Sequence, residues 1–179
     1  MNNHLFLLVI HLLYEDNNLK RLVILFLAVL MLTGCSYIDG DEDYQPPLEI
    51  ATEQSKYIME CIVNKDKEGL KSVFSKHIAQ THDLDKEIDE FFEFIDGEIV
   101  SHGEPEGYEG GYKMRDGGYT EKVLTGKISN IQTNKGDDYS VRIRMYSIYK
   151  ENSDHVGVSI INIVNEGDTI EQCAIGSSY

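Results

Sequence analysis

The chain has 179 residues and a formal net charge of −15, from 16 Lys+Arg against 31 Asp+Glu. Such an acidic surface excludes a nucleic-acid binder, which needs a basic stripe for phosphates, and repels anionic lipid head groups and wall polymers. Hydrophobic residues make up 41%, enough for the packed core of one domain, and 11 Tyr and 6 Phe supply aromatic bulk without Trp.

Lys20 and Arg21 precede an unbroken apolar run of eleven residues, Leu22 to Leu32, and Leu32-Thr33-Gly34-Cys35 follows at once. A basic start, an apolar run of about 7–15 residues and small residues at the cut site spell an export signal. A membrane span needs about 20 apolar residues, so this run is too short. The Leu-Thr-Gly-Cys string resembles the lipobox of bacterial lipoproteins. That resemblance implies removal of residues 1–34 by cleavage between Gly34 and Cys35, and a diacylglyceryl group on the Cys35 sulfur. The chain would then be held at the extracytoplasmic face of the cell membrane. Residues 1–18 fit a signal badly, because Leu5–Ile10 is a second apolar patch and Glu15 and Asp16 carry the wrong charge. Translation is therefore expected to start at Leu19, read from a leucine-type alternative start codon.

Ser36 to Pro47 holds four acidic residues, no basic one and a Pro-Pro stop. Residues 35–47 thus read as a lipidated cysteine on a solvated acidic tether. A single α+β domain is expected over residues 48–179. It opens with three predicted helices. Ala51, Ile58, Cys61 and Ile62 share one stripe. Asp66 caps a second helix, in which Leu70, Val73, Phe74, His77 and Ile78 recur at helical spacing. Asp83 or Asp85 caps the third, with Leu84, Ile88, Phe91, Phe92 and Ile95 inward and Gly97 as its stop.

Beyond Gly97 the period becomes two. A short strand is expected at Glu98–His102, then a long mobile loop over Gly103–Gly118, then strands near Thr120–Gln132, Asp138–Lys150, His155–Asn165 and Thr169–Ile175. Tyr139, Val141, Ile143 and Met145 alternate with Ser140, Arg142 and Arg144, so one face is buried and one wet. Ile161 and Ile163 oppose Val156, Val158 and Ile160, as in a central strand. The expected fold is α+β, with three N-terminal helices packed on a bent antiparallel sheet of about five strands.

This order resembles the nuclear-transport-factor-2-like (cystatin-like) fold, which implies a cone with an internal pocket. More narrowly, Tyr57–Phe74, Phe94–Ser101 and Val156–Val164 make the chain similar to uncharacterised Gram-positive lipoproteins carrying domain of unknown function 5104. The resemblance covers Leu48 to Tyr179. It implies fold, location and a single-membrane host, and it transfers no activity.

Chemistry-bearing residues are sparse. His77 and His82, with Asp83 and Asp85, are five apart where zinc helices favour a spacing of four, so no metal is expected. Cys61 sits on an apolar stripe and reads as inert; with Cys173 it forms either two buried apolar side chains or a disulfide. No serine lies in a Gly-x-Ser-x-Gly elbow. Tyr146, His102 and His155 are titratable groups on expected sheet positions, each read as structural. The glycine-rich stretch is interleaved with Glu104, Glu106 and Glu109, which repel phosphate. Its tyrosines, Tyr108, Tyr112 and Tyr119, are instead the candidate contacts for a pocket or partner.

The sequence thus points to a membrane-tethered binding or accessory domain with no catalytic residues and no cofactor. Its expected partners are the membrane, through Cys35, and an unidentified small molecule or envelope protein. The rival readings are a small pocket enzyme of isomerase or hydratase type, and a subunit that works only beside a membrane protein.

Overall fold

The computed structural model describes residues 46–167 and 171–179. The export segment, the Gly34–Cys35 junction and nearly all of the tether lie outside them.

Among the described residues four helices precede the strands: α1 (Pro47–Asn64), α2 (Lys67–Val73), α3 (Lys76–Thr81) and α4 (Leu84–Phe94). The Pro-Pro pair opens α1 rather than stopping the tether, because proline's ring already holds a helical φ at the first position, where its missing N–H costs nothing. Lys65, in the left-handed conformation at φ 53°, ends the helix. Asp66 then caps α2, its carboxylate accepting from the Gly69 N–H at 2.9 Å.

The expected second helix is two helices, so three becomes four. Phe74 leaves the helical region (φ −71°, ψ 146°) and forms an isolated parallel bridge with Val158. The Ser75 N–H donates to Val158 O at 2.9 Å. Ser75 then restarts the chain as the N-cap of α3, its Oγ accepting from the Ile78 N–H. Asp83, not Asp85, caps α4.

Six strands form one sheet: β1 (Ile99–Ser101), β2 (Glu106–Arg115), β3 (Gly118–Thr133), β4 (Asp138–Tyr149), β5 (Gly157–Asn165) and β6 (Glu171–Gly176). A short 3-10 turn at Ser153–His155 precedes β5. The order is β1-β3-β4-β5-β6, with neighbouring strands antiparallel; β2 also lies antiparallel on β3, alongside its first half. The glycine-rich stretch is therefore mostly a strand, which corrects both the mobile loop and the strand count. Bulges interrupt the register in β2 near Gly110, in β3 between Ile128 and Ile131, and in β5 at Ser159, opposite Arg144 and Met145. Bulges bend a strand and raise its twist.

One face of the sheet carries the core. Leu124, Ile128, Val141, Ile143, Ile161, Ile163 and Ile175 pack with Ile58 and Ile62 of α1 and Ile88 and Phe91 of α4. Each such side chain, fully buried, contributes about 1.5–3 kcal/mol. Two glycines let α1 approach. A Cβ at Gly107 would meet the Thr52 backbone nitrogen at 2.5 Å, and one at Gly126 would meet Ser55 Oγ at 2.0 Å.

Candidate functional site

Because side chains alternate along a strand, residues paired one step from the core row project from the opposite face. Two cross-strand rows are set there by register. One runs Glu106–Lys127–Arg142–Asn162, and the next runs Tyr108–Thr125–Arg144–Ile160. Gly107 lies flat under α1, and this turns its neighbour Tyr108 outward.

Apart from Glu106, these rows line a groove of about 400 Å³, flanked on one side by Tyr108 and on the other by Ile160 and Ser178. Lys127 and Arg142 are exposed and Arg144 is half-buried. Among the described residues none of the three cations has a carboxylate within ion-pair distance, although seven other lysines do. The neighbouring acids are otherwise engaged. Glu106 accepts the Tyr108 hydroxyl proton, and Glu166 accepts from Ser140 Oγ at 2.5 Å one rung beyond Arg142. The bond to Glu106, more than partial burial or the acid's charge, holds the Tyr108 hydroxyl above its ordinary pKa. Two of the residues that line the groove each hold a buried atom without a hydrogen-bond partner among the described residues: Arg144 Nε, a donor, and Asn162 Oδ1, an acceptor. Arg144 also lies over the Tyr146 ring, its Cζ 5.6 Å from the centroid.

Of the three candidate tyrosines, only Tyr108 lines this groove. Tyr112 and Tyr119 sit nearer the β2–β3 turn as an edge-to-face pair 5.5 Å apart, with Lys122 Nζ 5.2 Å from the Tyr119 ring. Both are exposed, as is Met114 beside them.

Tyr146, His155 and His77 join a different cluster. The His77 and His155 rings stack at 4.3 Å, His155 stacks on Tyr149 at 4.7 Å, and Tyr179 covers His155 at 4.1 Å. The Tyr179 and Ser75 hydroxyls are 2.6 Å apart, and His155 Nδ1 is buried without a partner among the described residues. Burial raises the Tyr179 hydroxyl pKa, against the lowering by the Ser75 bond. His102 is exposed and its Nδ1 lies 2.8 Å from Gly103 O.

His77 and His82 share no site. His82 Nδ1 lies 2.8 Å from Glu87 Oε1 and its Nε2 lies 3.1 Å from Ser177 Oγ, while Glu87 Oε2 accepts from the Gly176 N–H at 2.7 Å. With the ring proton on Nδ1 facing the carboxylate, Nε2 accepts from the Ser177 hydroxyl. This chain fastens the end of β6 to α4. Among the described residues no three His, Cys, Asp or Glu side chains gather as a metal group. Asp83 is spent on its cap and Asp85 on Lys71, at 2.7 Å. Cys61 and Cys173 are both free, and burial pushes each thiol above its ordinary pKa.

A second cleft, of about 280 Å³, opens where α1 meets β4 and β5. It is lined chiefly by Ile50, Val73, Leu124, Met145 and Val158, with Gln54 and Tyr146 at its polar points. Among the described residues no helix is long and apolar enough to cross a membrane.

The groove is hidden in the sequence because its cations come from two strands and its walls from two more. A trace was visible: Arg142 and Arg144 fall on the wet side of one alternating strand in a chain poor in base.

The architecture defines an α+β protein with helices on one face of a mostly antiparallel six-stranded sheet. Residues 54–166 match a family described as a domain of unknown function, DUF5104. The chain belongs to that family, which the sequence motifs had pointed to. No curated protein matches the chain.

Proposed function

We propose that this protein is an extracytoplasmic binding domain, tethered to the cell membrane through an acylated Cys35, that holds a small molecule on its open sheet face. The observation that carries the binding role is the groove. Among the described residues, three cations line it without an ion pair, beside a buried donor and a buried acceptor that lack a hydrogen-bond partner, in a chain of net charge −15. Buried polar groups are ordinarily satisfied, and a ligand or bound water is what satisfies them when protein does not. Lysine and arginine side chains carry charge throughout the neutral range, so they orient an anion and do not shuttle its protons. The apolar lining of the second cleft points the same way, toward carriage rather than acid–base work.

The tether rests on the lipobox string, the short apolar run and the acidic spacer. Two acyl chains give firm anchoring, at about 0.8 kcal/mol per buried methylene. The bulged sheet with helices on one face fits the nuclear-transport-factor-2-like plan, and the lipobox fits the Gram-positive lipoprotein class. Expression of the full chain in a Gram-positive host with alkyne-tagged palmitate tests the anchor. The expected result is label on the wild type and none on Cys35→Ala; equal label on both sinks the tether. Native mass spectrometry of the same full chain tests the binding role. Extra mass that disappears on denaturation is expected, and its absence counts against a retained ligand.

One arrangement favours a second reading, a small pocket enzyme. Ser177, His82 and Glu87 follow the nucleophile, base and orienting-carboxylate order. Covalent labelling of Ser177 by a fluorophosphonate, lost in His82→Ala, would move the assignment to an enzyme; unlabelled Ser177 leaves the chain as a fastener.

A further inference from the structure

Resting on the binding reading of the open-face groove, we infer that its ligand is a small molecule bearing an oxyanion, carboxylate or phosphate, next to an apolar or aromatic group.

The charge of the ligand follows from the register. Arg142 lies directly opposite Lys127, and Arg144 stands two residues further along the same face, opposite Thr125. Residues i and i+2 of a strand are about 6.6 Å apart. That spacing lets two guanidinium forks and one ammonium converge on a single oxyanion. The protein's overall field repels anions at long range, so an uncompensated cationic patch serves a specific short-range partner rather than steering.

The hydrogen-bonding pattern narrows the class. Among the described residues Arg144 Nε is a buried donor without a partner, and an oxyanion supplies an acceptor with the geometry that guanidinium matches best. Asn162 Oδ1 is a buried acceptor in the same groove, and a hydroxyl or amide N–H on the ligand fits it. The walls set the rest. Ile160 and the Tyr108 ring flank the cations with apolar surface, which a bare inorganic ion would leave wet.

The test is isothermal titration of the full chain, in nanodiscs, with three probes. These are phenyl phosphate, octyl phosphate and benzyltrimethylammonium, the last matching phenyl phosphate in bulk but opposite in charge. Binding of either phosphate, no binding of the cation, and a loss of about tenfold or more in Arg142→Gln/Arg144→Gln are expected. Tighter binding of octyl than phenyl phosphate supports a lipid-derived source, and the reverse supports a soluble aromatic metabolite; either upholds the inference. Because Arg144 is half-buried, Lys127→Gln/Arg142→Gln, at two exposed positions, repeats the test without risk to the fold. Lys113→Gln, on the hairpin outside the groove, should bind as the wild type does. Equal binding of cation and anion, or unchanged phosphate affinity in both double variants, overturns the inference. If the phosphates fail to bind while native mass spectrometry still shows a retained mass, the ligand class falls and the binding role stands. If both fail, both fall.

Discussion

Gly126 of β3 lies directly beneath Ser55 of α1, so close that a Cβ on the glycine would sit 2.0 Å from the serine Oγ. Ser55 is fully buried and donates to Ala51 O at 2.7 Å. Gly126→Ala should therefore cost about 1–3 kcal/mol by overpacking. Ser55→Ala in the same chain should recover part of that, since the clashing atom is gone. Gly107→Ala should not be recoverable this way, because its new Cβ meets the backbone nitrogen of Thr52. Urea unfolding of Gly126→Ala, Gly126→Ala/Ser55→Ala and Gly107→Ala separates these outcomes.

Ser75 holds two roles, capping α3 and meeting the Tyr179 hydroxyl. Tyr179→Phe should lose about 1 kcal/mol, the usual net worth of such a bond. Ser75→Ala should lose more, because the cap goes as well, at about 0.5–2 kcal/mol. The double variant should fall short of the sum, as expected of partners in one bond. Thermal unfolding of the set measures the coupling.

Cys61 is buried and its thiol is held above its ordinary pKa chiefly by burial. Iodoacetamide should leave Cys61 untouched in the folded chain at pH 8 and modify it in urea, because the thiolate is the reactive form. Cys173 is only partly covered, so it should react slowly when folded, faster as pH rises. For stability the sign is set by the raised value. Both thiols favour the folded state below the ordinary thiol pKa of about 8.5, and that contribution disappears as pH climbs through the folded value. Mass spectrometry of alkylated peptides across pH 7–10 checks the reactivity.

Tyr112 and Tyr119 touch each other at the exposed end of the β2–β3 hairpin, away from the groove that Tyr108 lines. Replacing both by Ser should change stability by about 0.5–1.5 kcal/mol, the worth of an exposed aromatic pair. It should leave any retained mass in the native spectrum unaltered, whereas Tyr108→Ser should diminish it. Loss of that mass on removing the hairpin pair alone would shift the ligand site to the hairpin.

Much of the fold was legible from local pattern. The stripe through Ala51, Ile58, Cys61 and Ile62 is buried as its spacing requires, and Asp66 and Asp83 cap where their side chains reach the next turn. The alternation from Tyr139 to Met145 sorted core from open face, except at Ser140, which is buried. The expectation that Val158 opposes Ile161 and Ile163 is overturned: all three join one core, because an extra residue, Ser159, shifts the alternation of β5. These signals report neighbours two to four residues away, which is the range over which a helix or strand repeats.

What the tertiary structure alone decided lies beyond that range. Phe74 breaks a helix whose periodicity continues through it, because Val158 offers a bridge from a strand more than eighty residues later. Glu106–Arg115 is strand despite its glycines, because β3 provides the ladder and α1 needs Gly107 bare. Lys127, Arg142 and Arg144 become one cationic patch only when β3 and β4 pair in register, and Tyr108 and Ile160 become its walls only when β2 and β5 join from either side. A residue's own neighbourhood determines which face it takes, but only long-range pairing determines what stands beside it on that face.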